Sequence, residues 1–227
     1  MTESDTALLS VRGTATVEVE PDCAAVDCDI RVTDRDKPKA LAGASRELDA
    51  VRADLERLGG TARASGTRRA PLTWLARSMS ASEEYDGKRH TGRIVASVTL
   101  SVELRDFALL DDVHRALAAN SAVRLGSINW SVDDDNPAWP QVRAAAIDAA
   151  LRQGHDYATA LGGALLRIEQ VADAGLLDGG RPQHFYRAHA MSGEAWVESE
   201  MPSVDPQPIE LSASIDVRLL ASVAPLT

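Results

Sequence analysis

Four stretches of the chain alternate apolar and polar residues with a period of two, as a β-strand with one buried face does. These stretches begin at Leu9, Val26, Ile94 and Ile209. The first two are separated by Pro21 and Asp22, residue types that favour turns, so we predict that they form a hairpin. Strands of this kind are typical of an antiparallel sheet that faces a core on one side and water on the other.

Three other stretches place apolar residues three or four positions apart, which predicts amphipathic helices. The first helix follows Asp36 and Pro38 and ends before Gly59. The second is short and begins after Asp106, a residue type suited to capping a helix N-terminus.

The third helix is the central one, and it ends at the pair Gly162 and Gly163. Residues 133–136, with sequence DDDN, supply several N-cap candidates, and Pro137 suits the first turn. Oxygen ligands in this acidic run could also hold a divalent cation, but the spacing of a calcium loop is absent, which favours capping. The apolar positions assigned to the buried side of this helix are Ala145, Ala146, Ala149, Tyr157 and Leu161.

Weaker alternation predicts further strands over residues 67–80, 123–132 and 165–174, and the polar stretch 81–92 is predicted to be a hairpin connection. The predicted order is therefore ββαββαβαββ. This order indicates an α+β fold in which helices pack on one face of antiparallel sheet.

No linker rich in proline and serine divides the 227 residues, so we predict a single domain over 1–227. Within it, residues 8–135 form an N-terminal part. Residues 136–222 hold the central helix, a strand, a long loop and the closing strand.

The chain carries 24 basic and 34 acidic residues, a net charge of −10, which argues against a nucleic-acid partner. The N-terminal residues lack the basic and apolar regions of a secretory signal, so we expect a cytoplasmic protein. No apolar run approaches the roughly 20 residues of a membrane-spanning helix, so no transmembrane segment is predicted.

Cys23 and Cys28 are five positions apart within one predicted strand. An odd separation places them on opposite faces, roughly 16 Å apart at the rise of a strand, too far for a disulfide. Without a CxxC spacing or a nearby histidine, they are interpreted as small core or strand residues instead of metal or redox groups.

Chemically versatile side chains concentrate in residues 178–203, a stretch without periodicity. We predict that this segment is an interaction loop, because exposed aromatic side chains mark contact surfaces. Its candidate residues are His184, Phe185, Tyr186, His189 and Trp196.

The alternative is an uncharacterised hydrolase or metal-binding enzyme that uses His184, His189 and Glu194 of the same loop. The spacing of the two histidines does not place them on one helix face, and no third ligand is fixed. Since no nucleophile, phosphate-loop or dinucleotide motif occurs either, we predict no catalytic, cofactor-binding or metal-binding residue and no enzymatic activity.

Three segments of the chain resemble the SIMPL domain family of bacterial proteins, whose function is unknown. The first resembles the family's opening strands, the second its alanine-rich helix and following strand, and the third its closing strand. In order they are VRGTATVEVEPDCAAVDCDIRV, RAAAIDAALRQGHDYATALGGALLRI and PQPIELSASIDVRLLA.

This resemblance implies a protein without catalytic residues that acts by self-association or by binding a protein partner. At least one member of the family builds a large ring-like homo-oligomer. Some members are periplasmic or outer-membrane antigens, and some are linked to defence against oxidative stress. The present sequence departs from the family in lacking its common export signal, so an envelope location is not expected here.

Overall fold

A computed structural model describes residues 6–64, 69–177 and 205–224 of the chain. These residues fall into two compact units. The first unit contains 6–20, 132–177 and 208–224, and the second contains the remainder. The prediction of a single domain over 1–227 stays a prediction.

The described residues form eight strands and three helices, which confirms the predicted α+β class. The strands are β1 (Thr6–Val19), β2 (Cys23–Asp34), β3 (Thr61–Ala62), β4 (Leu72–Asp86), β5 (Arg89–Leu104), β6 (Val123–Ser131), β7 (Leu165–Asp173) and β8 (Ile209–Ser222). The helices are α1 (Lys37–Arg57), α2 (Leu110–Ala118) and α3 (Ala138–Ala160), and a short 3-10 helix (Phe107–Leu109) precedes α2. The order matches the predicted one except for the additional two-residue strand β3.

The first unit is a three-stranded antiparallel sheet in the order β1-β8-β7, with α3 packed on one face. β1 and β8 pair along their length, from Thr6 opposite Ser222 to Val19 opposite Ile209. The odd-numbered residues of β8 are buried, as the alternation of the closing strand predicted. α3 packs on β1 and β8 and makes few contacts with β7.

The buried side of α3 differs from the predicted one. It is a stripe of small residues that repeats every four positions and includes Ala146, Ala150 and Gly154. Tyr157, which was assigned to this side, is 46% exposed, and Leu161 is also exposed. The reason is the close approach of α3 to β1 and β8, which leaves room only for small side chains between them.

The second unit is a five-stranded sheet in the order β3-β4-β5-β2-β6, which packs against α1. β2 lies between β5 and β6 and pairs antiparallel with both. Its apolar positions Val26, Cys28 and Ile30 are buried, as predicted. The matching side chains of β5 are fully or almost fully buried: Ala96, Val98, Leu100, Val102 and Leu104.

The predicted hairpin between the first two strands is wrong. β1 pairs with β8, whereas β2 pairs with β5 and β6, so the two strands belong to different sheets. Pro21 and Asp22 therefore connect two units, and the Asp22 amide donates to the carbonyl of Ser131 at 2.9 Å. Alternation predicts a strand and its buried face but does not name the strand's partner.

The predicted hairpin over 81–92 is confirmed, but its connection is shorter than predicted, because β4 and β5 continue through most of this stretch. Their pairing extends to Asp86 opposite Arg89, and only Gly87 and Lys88 lie between the strands. Gly87 has a positive φ of 60°, a conformation that suits glycine in a tight hairpin turn. The end of this hairpin is exposed on both faces, so its sequence lacks apolar alternation.

The predicted cap of α1 is confirmed, because the Asp36 side chain accepts from the Lys39 amide. Asp106 accepts from the Ala108 amide and caps the 3-10 helix that precedes α2, not α2 itself. The N-cap position of α3 is Pro137, which makes no capping hydrogen bond, and Asn136, one of the predicted candidates, accepts from the Ala138 amide at 2.9 Å from the position before it. Within the described residues, no helix combines the length and apolar character needed to cross a lipid bilayer.

Candidate functional site

A notch of about 310 Å³ opens on the face of the first unit's sheet that is opposite α3. Its charged side chains come from the outward positions of the two long strands: Arg12 on β1, and Asp216 and Arg218 on β8. Leu177, which follows β7, forms another part of the wall. The notch thus joins residues from both ends of the sequence.

Arg12 and Asp216 form a two-point ion pair at the centre of the notch. The Arg12 Nε donates to Asp216 Oδ1 at 2.6 Å, and Nη2 donates to Oδ2 at 3.0 Å. The two residues are direct cross-strand neighbours in the β1–β8 register. Guanidinium and carboxylate groups in this parallel arrangement form one of the stronger kinds of hydrogen-bonded pair.

A third donor, the Gly175 amide, contacts Asp216 Oδ2 at 2.8 Å. The Arg12 hydrogen bond, aided by that amide, lowers the pKa of the Asp216 carboxyl below its usual value. Asp216 is therefore a charged and well-coordinated carboxylate near neutral pH. Such a group is a poor proton acceptor, so its geometry indicates a structural anchor instead of a general base.

Arg218, which lines the same notch, also contacts β7, the strand at the edge of this sheet. Its guanidinium donates to Gln170 Oε1 of β7 at 3.0 Å and to the Leu177 carbonyl at 3.5 Å. Together, Asp216 and Arg218 hold the turn that follows β7, from Gly175 to Leu177, against β8. The described contacts of the notch thus position the chain at the point where it leaves β7.

β7 is the edge strand of this sheet, and it exposes large apolar side chains. Leu166 is 54% exposed, Ile168 is 49% exposed and Val171 is 48% exposed. Register shifts against β8 occur near residues 166 and 169. Among the described residues, α3 covers β1 and β8 and makes few contacts with β7, so this strand presents an apolar surface that we call the β7 surface (Leu166, Ile168 and Val171).

Titratable side chains also gather at the exposed end of the β4–β5 hairpin. His90 Nε2 lies 3.2 Å from Glu83 Oε2, and the rings of His90 and Tyr85 meet edge to face at 5.3 Å. The Tyr85 hydroxyl donates to the same Glu83 carboxylate, and this hydrogen bond raises the tyrosine pKa. These residues close the hairpin by contacts with one another.

The residues of the predicted interaction loop lie outside the described part of the chain, and so does Glu194 of the alternative site. These loop residues are His184, Phe185, Tyr186, His189 and Trp196. Within the described part of the chain, no three His, Cys, Asp or Glu side chains converge as metal ligands. The interaction loop and its enzymatic alternative both stay predictions.

Both cysteines are buried, Cys23 at 5% exposure and Cys28 at 3%, and neither forms a disulfide. Burial, with added repulsion from Asp29 and Asp27, raises the pKa of the Cys28 thiol to about 12. The thiolate is the reactive form of cysteine, so Cys28 is an inert core group at neutral pH. This agrees with the interpretation of the cysteines as small core residues.

The notch and the β7 surface were not predicted from the sequence. The signal for the notch was present as outward-facing charges of opposite sign, Arg12 on the first strand and Asp216 on the last. The sequence does not show that these two strands pair, and only that pairing places Arg12 opposite Asp216. The signal for the β7 surface was a strand whose apolar residues Leu166, Ile168 and Val171 depart from strict alternation.

Comparison with known proteins gives one result that identifies the family. No curated protein matches the chain. A solved structure of a hydantoinase/carbamoylase family amidase from Burkholderia ambifaria is 18% identical over 58% of this chain, with a TM-score of 0.25. The chain spans 34% of that enzyme's length, and a likeness this weak carries no argument about fold or activity.

The family model described as "SIMPL: Protein of unknown function (DUF541)" matches residues 9–219. This match includes most of β1 and β8, the two strands that carry the notch, and extends over both compact units. It confirms the resemblance carried by the opening strands, the alanine-rich helix and the closing strand. The chain belongs to the SIMPL family.

Proposed function

We propose that this protein is a non-enzymatic module that acts by association, with itself or with a protein partner, through the β7 surface. The observation that supports this proposal is the exposure of Leu166, Ile168 and Val171 on one edge strand. Single exposed apolar residues are ordinary, but neighbouring large apolar side chains on an edge strand are typical of contact surfaces. Covering them would remove apolar area from water, which favours association.

The contact that β7 favours is one between side chains. Its register shifts disturb the regular spacing that a further strand would need for a hydrogen-bonded ladder, and such irregularities discourage edge-to-edge pairing. The notch residue Arg218 stabilises the position of β7, because its guanidinium donates to Gln170 of β7 and to the Leu177 carbonyl. β7 is thereby held as a defined surface on the sheet.

Light scattering across a range of protein concentrations tests this proposal. We expect the wild-type mass to rise above the 24.2 kDa of one chain. The double variant Ile168→Lys with Val171→Lys should lower that mass, because burying two ammonium groups in an apolar contact is costly. The matched control is Thr14→Lys with Thr16→Lys, which adds the same charge at exposed positions of β1.

The control variant should keep the wild-type mass. A wild-type protein that stays at 24.2 kDa up to the highest concentration would contradict self-association. A wild-type assembly that persists in the β7 double variant would contradict the assignment of the surface.

A further inference from the structure

The second unit has a strand edge of a different kind, along β4. β3 pairs only with Thr73 and Trp74 of β4, and among the described residues no other strand lies on that side. The edge from Ala76 to Asp86 is therefore open in the described part of the chain. This is the stretch that continues into the exposed end of the β4–β5 hairpin.

The register shows which backbone groups face outward on this edge. The Trp74 carbonyl accepts from the Arg63 amide at 2.8 Å, so Trp74 turns its backbone away from β5. Trp74 lies opposite Val102, and in an antiparallel pair every second residue turns its amide and carbonyl away from the partner strand. The β4 residues opposite even-numbered residues of β5 therefore turn their backbone groups outward, as Trp74 does. Beyond the shift at Arg77, these are Met79, Ala81 and Glu83, which lie opposite Val98, Ala96 and Ile94.

This part of the edge lacks the features that protect exposed edges. Its register shifts lie near Arg77 and Glu84, and none lies between Ser78 and Glu83. It contains no proline and no lysine, and Ser78, Ser80, Ala81 and Ser82 are small. A regular row of outward amides and carbonyls between small side chains is a template for a further strand.

We propose that the regular part of this edge, Ser78–Glu83 of β4, pairs antiparallel with the same edge of a second copy about a two-fold axis at Ala81. Ala81 is the middle one of the three outward-facing residues Met79, Ala81 and Glu83, so this register pairs all three between the two register shifts. Met79 of one copy then lies opposite Glu83 of the other, and Ala81 lies opposite Ala81. The result is a ten-stranded sheet continuous across the two copies.

Charge favours a second copy in this register. The acidic residues lie at one end of the edge, at Glu83, Glu84 and Asp86. Arg77 lies at the other end, where its guanidinium also contacts Ser101 and Asp27 of its own sheet. An antiparallel partner brings the acidic end of each copy beside the Arg77 end of the other. No two like charges are directly opposite, and like charges at opposite positions are unfavourable.

This proposal concerns a separate surface from β7, since the two strands lie in different units. It makes the protein's self-association more specific by assigning a symmetric dimer to one edge. Symmetric contacts of this type use the same patch on both copies. The tests of the two surfaces can therefore be separated by variants.

The variant Ala81→Pro tests the edge with little disturbance to the fold. The Ala81 amide faces away from β5, so proline removes a donor of the proposed contact and none of the β4–β5 ladder. We expect the dimer dissociation constant to rise at least tenfold, measured by sedimentation or light scattering. Ala81→Val keeps the amide and is the matched control, which should dimerise like the wild type.

Hydrogen exchange of the wild-type protein gives a second measurement that does not depend on a variant folding. The amides of Met79, Ala81 and Glu83 should slow as protein concentration rises, whereas those of Ser80 and Ser82 should be slow throughout. An Ala81→Pro protein that dimerises as well as wild type would overturn the proposal. So would exchange at Met79, Ala81 and Glu83 that is independent of concentration.

The outcomes also separate the two contacts. If only the β7 double variant loses association, the β7 proposal is supported and the β4-edge proposal is contradicted. If only Ala81→Pro loses association, the β4-edge proposal is supported and the β7 proposal is contradicted. An assembly that falls to a dimer in the β7 variant and to a monomer only when Ala81→Pro is added supports both.

Discussion

Gly13 of β1 lies directly against the backbone of α3 at Ala146. A β-carbon at position 13 would overlap the Ala146 carbonyl oxygen and would stand 2.5 Å from the amide nitrogen of Ala150. The helix thus rests on the strand with no side chain between them. This contact explains why the buried stripe of α3 is made of alanine and glycine.

The substitution Gly13→Ala should therefore destabilise the first unit. Neither backbone can move aside without breaking its own hydrogen bonds, so we expect a loss of at least about 2 kcal/mol in the free energy of unfolding. Urea denaturation measures this loss. Thr14→Ala, at the next and outward-facing position, is the control and should change stability by less than about 0.5 kcal/mol.

The sequence predicted the elements of this fold better than their packing. The alternation in β8 and β5 identified their buried faces correctly, because a half-buried strand must place apolar residues at every second position. For α3, the helical spacing of apolar residues selected Tyr157 and Leu161 as buried. This was wrong because α3 approaches β1 so closely at Gly13 that only small side chains fit between them.

Two strand pairings could not be deduced either. Pro21 and Asp22 have the composition of a hairpin turn, yet they join strands of different sheets. Their neighbours in space, β8 for β1 and β5 and β6 for β2, lie far away in sequence. Alternation carries no information about which distant strand supplies the partner.

The candidate sites show the same limit. Arg12 and Asp216 are 204 positions apart, and only the β1–β8 register makes them neighbours. The predicted site over residues 178–203 was chosen from residue types alone, and it lies outside the described residues. The notch and the open β4 edge depend on geometry that residue types do not encode.

The Arg12–Asp216 pair predicts a dependence of stability on acid pH. The pKa of Asp216 is lowered in the folded protein, so its carboxylate stabilises the fold above the unfolded-state value of about 3.9. That contribution is lost as the pH falls through the lowered folded-state pKa. In Asp216→Asn, the free energy of unfolding should therefore fall less steeply with decreasing pH than in wild type.

Denaturant titrations between pH 2 and pH 7 measure this slope. Arg12→Gln should flatten it as well, because the guanidinium is the main cause of the lowered pKa. Asp148→Asn, at an exposed position of α3, should keep the wild-type slope. Equal slopes in wild type and Asp216→Asn would show that the pair does not affect folding.

Asp36 caps α1, and its removal should have a measurable cost. The Asp36 carboxylate accepts from the Lys39 amide, one of the donors without an intrahelical partner. We expect Asp36→Ala to lower the free energy of unfolding by about 1 kcal/mol. Glu56→Ala, at an exposed position near the other end of α1, is the control and should have a smaller effect in the same urea titration.

Cys28 provides the last prediction, at alkaline pH. In the folded protein burial raises its thiol pKa to about 12, from an ordinary value of 9.0. An acid with a raised pKa is neutral in the folded state while the unfolded state has begun to ionise. As the pH rises above 9, the unfolded state is therefore stabilised by up to about 1.4 kcal/mol per pH unit.

The variant Cys28→Val should weaken this alkaline loss. Urea titrations between pH 8 and pH 11 measure the slopes. At pH 8 the native protein should react with iodoacetamide at Cys28 far more slowly than the urea-unfolded protein, because the thiol is both buried and protonated. Rapid labelling of Cys28 in the native protein would contradict its placement between β5 and β6, and would reopen a redox role for this residue.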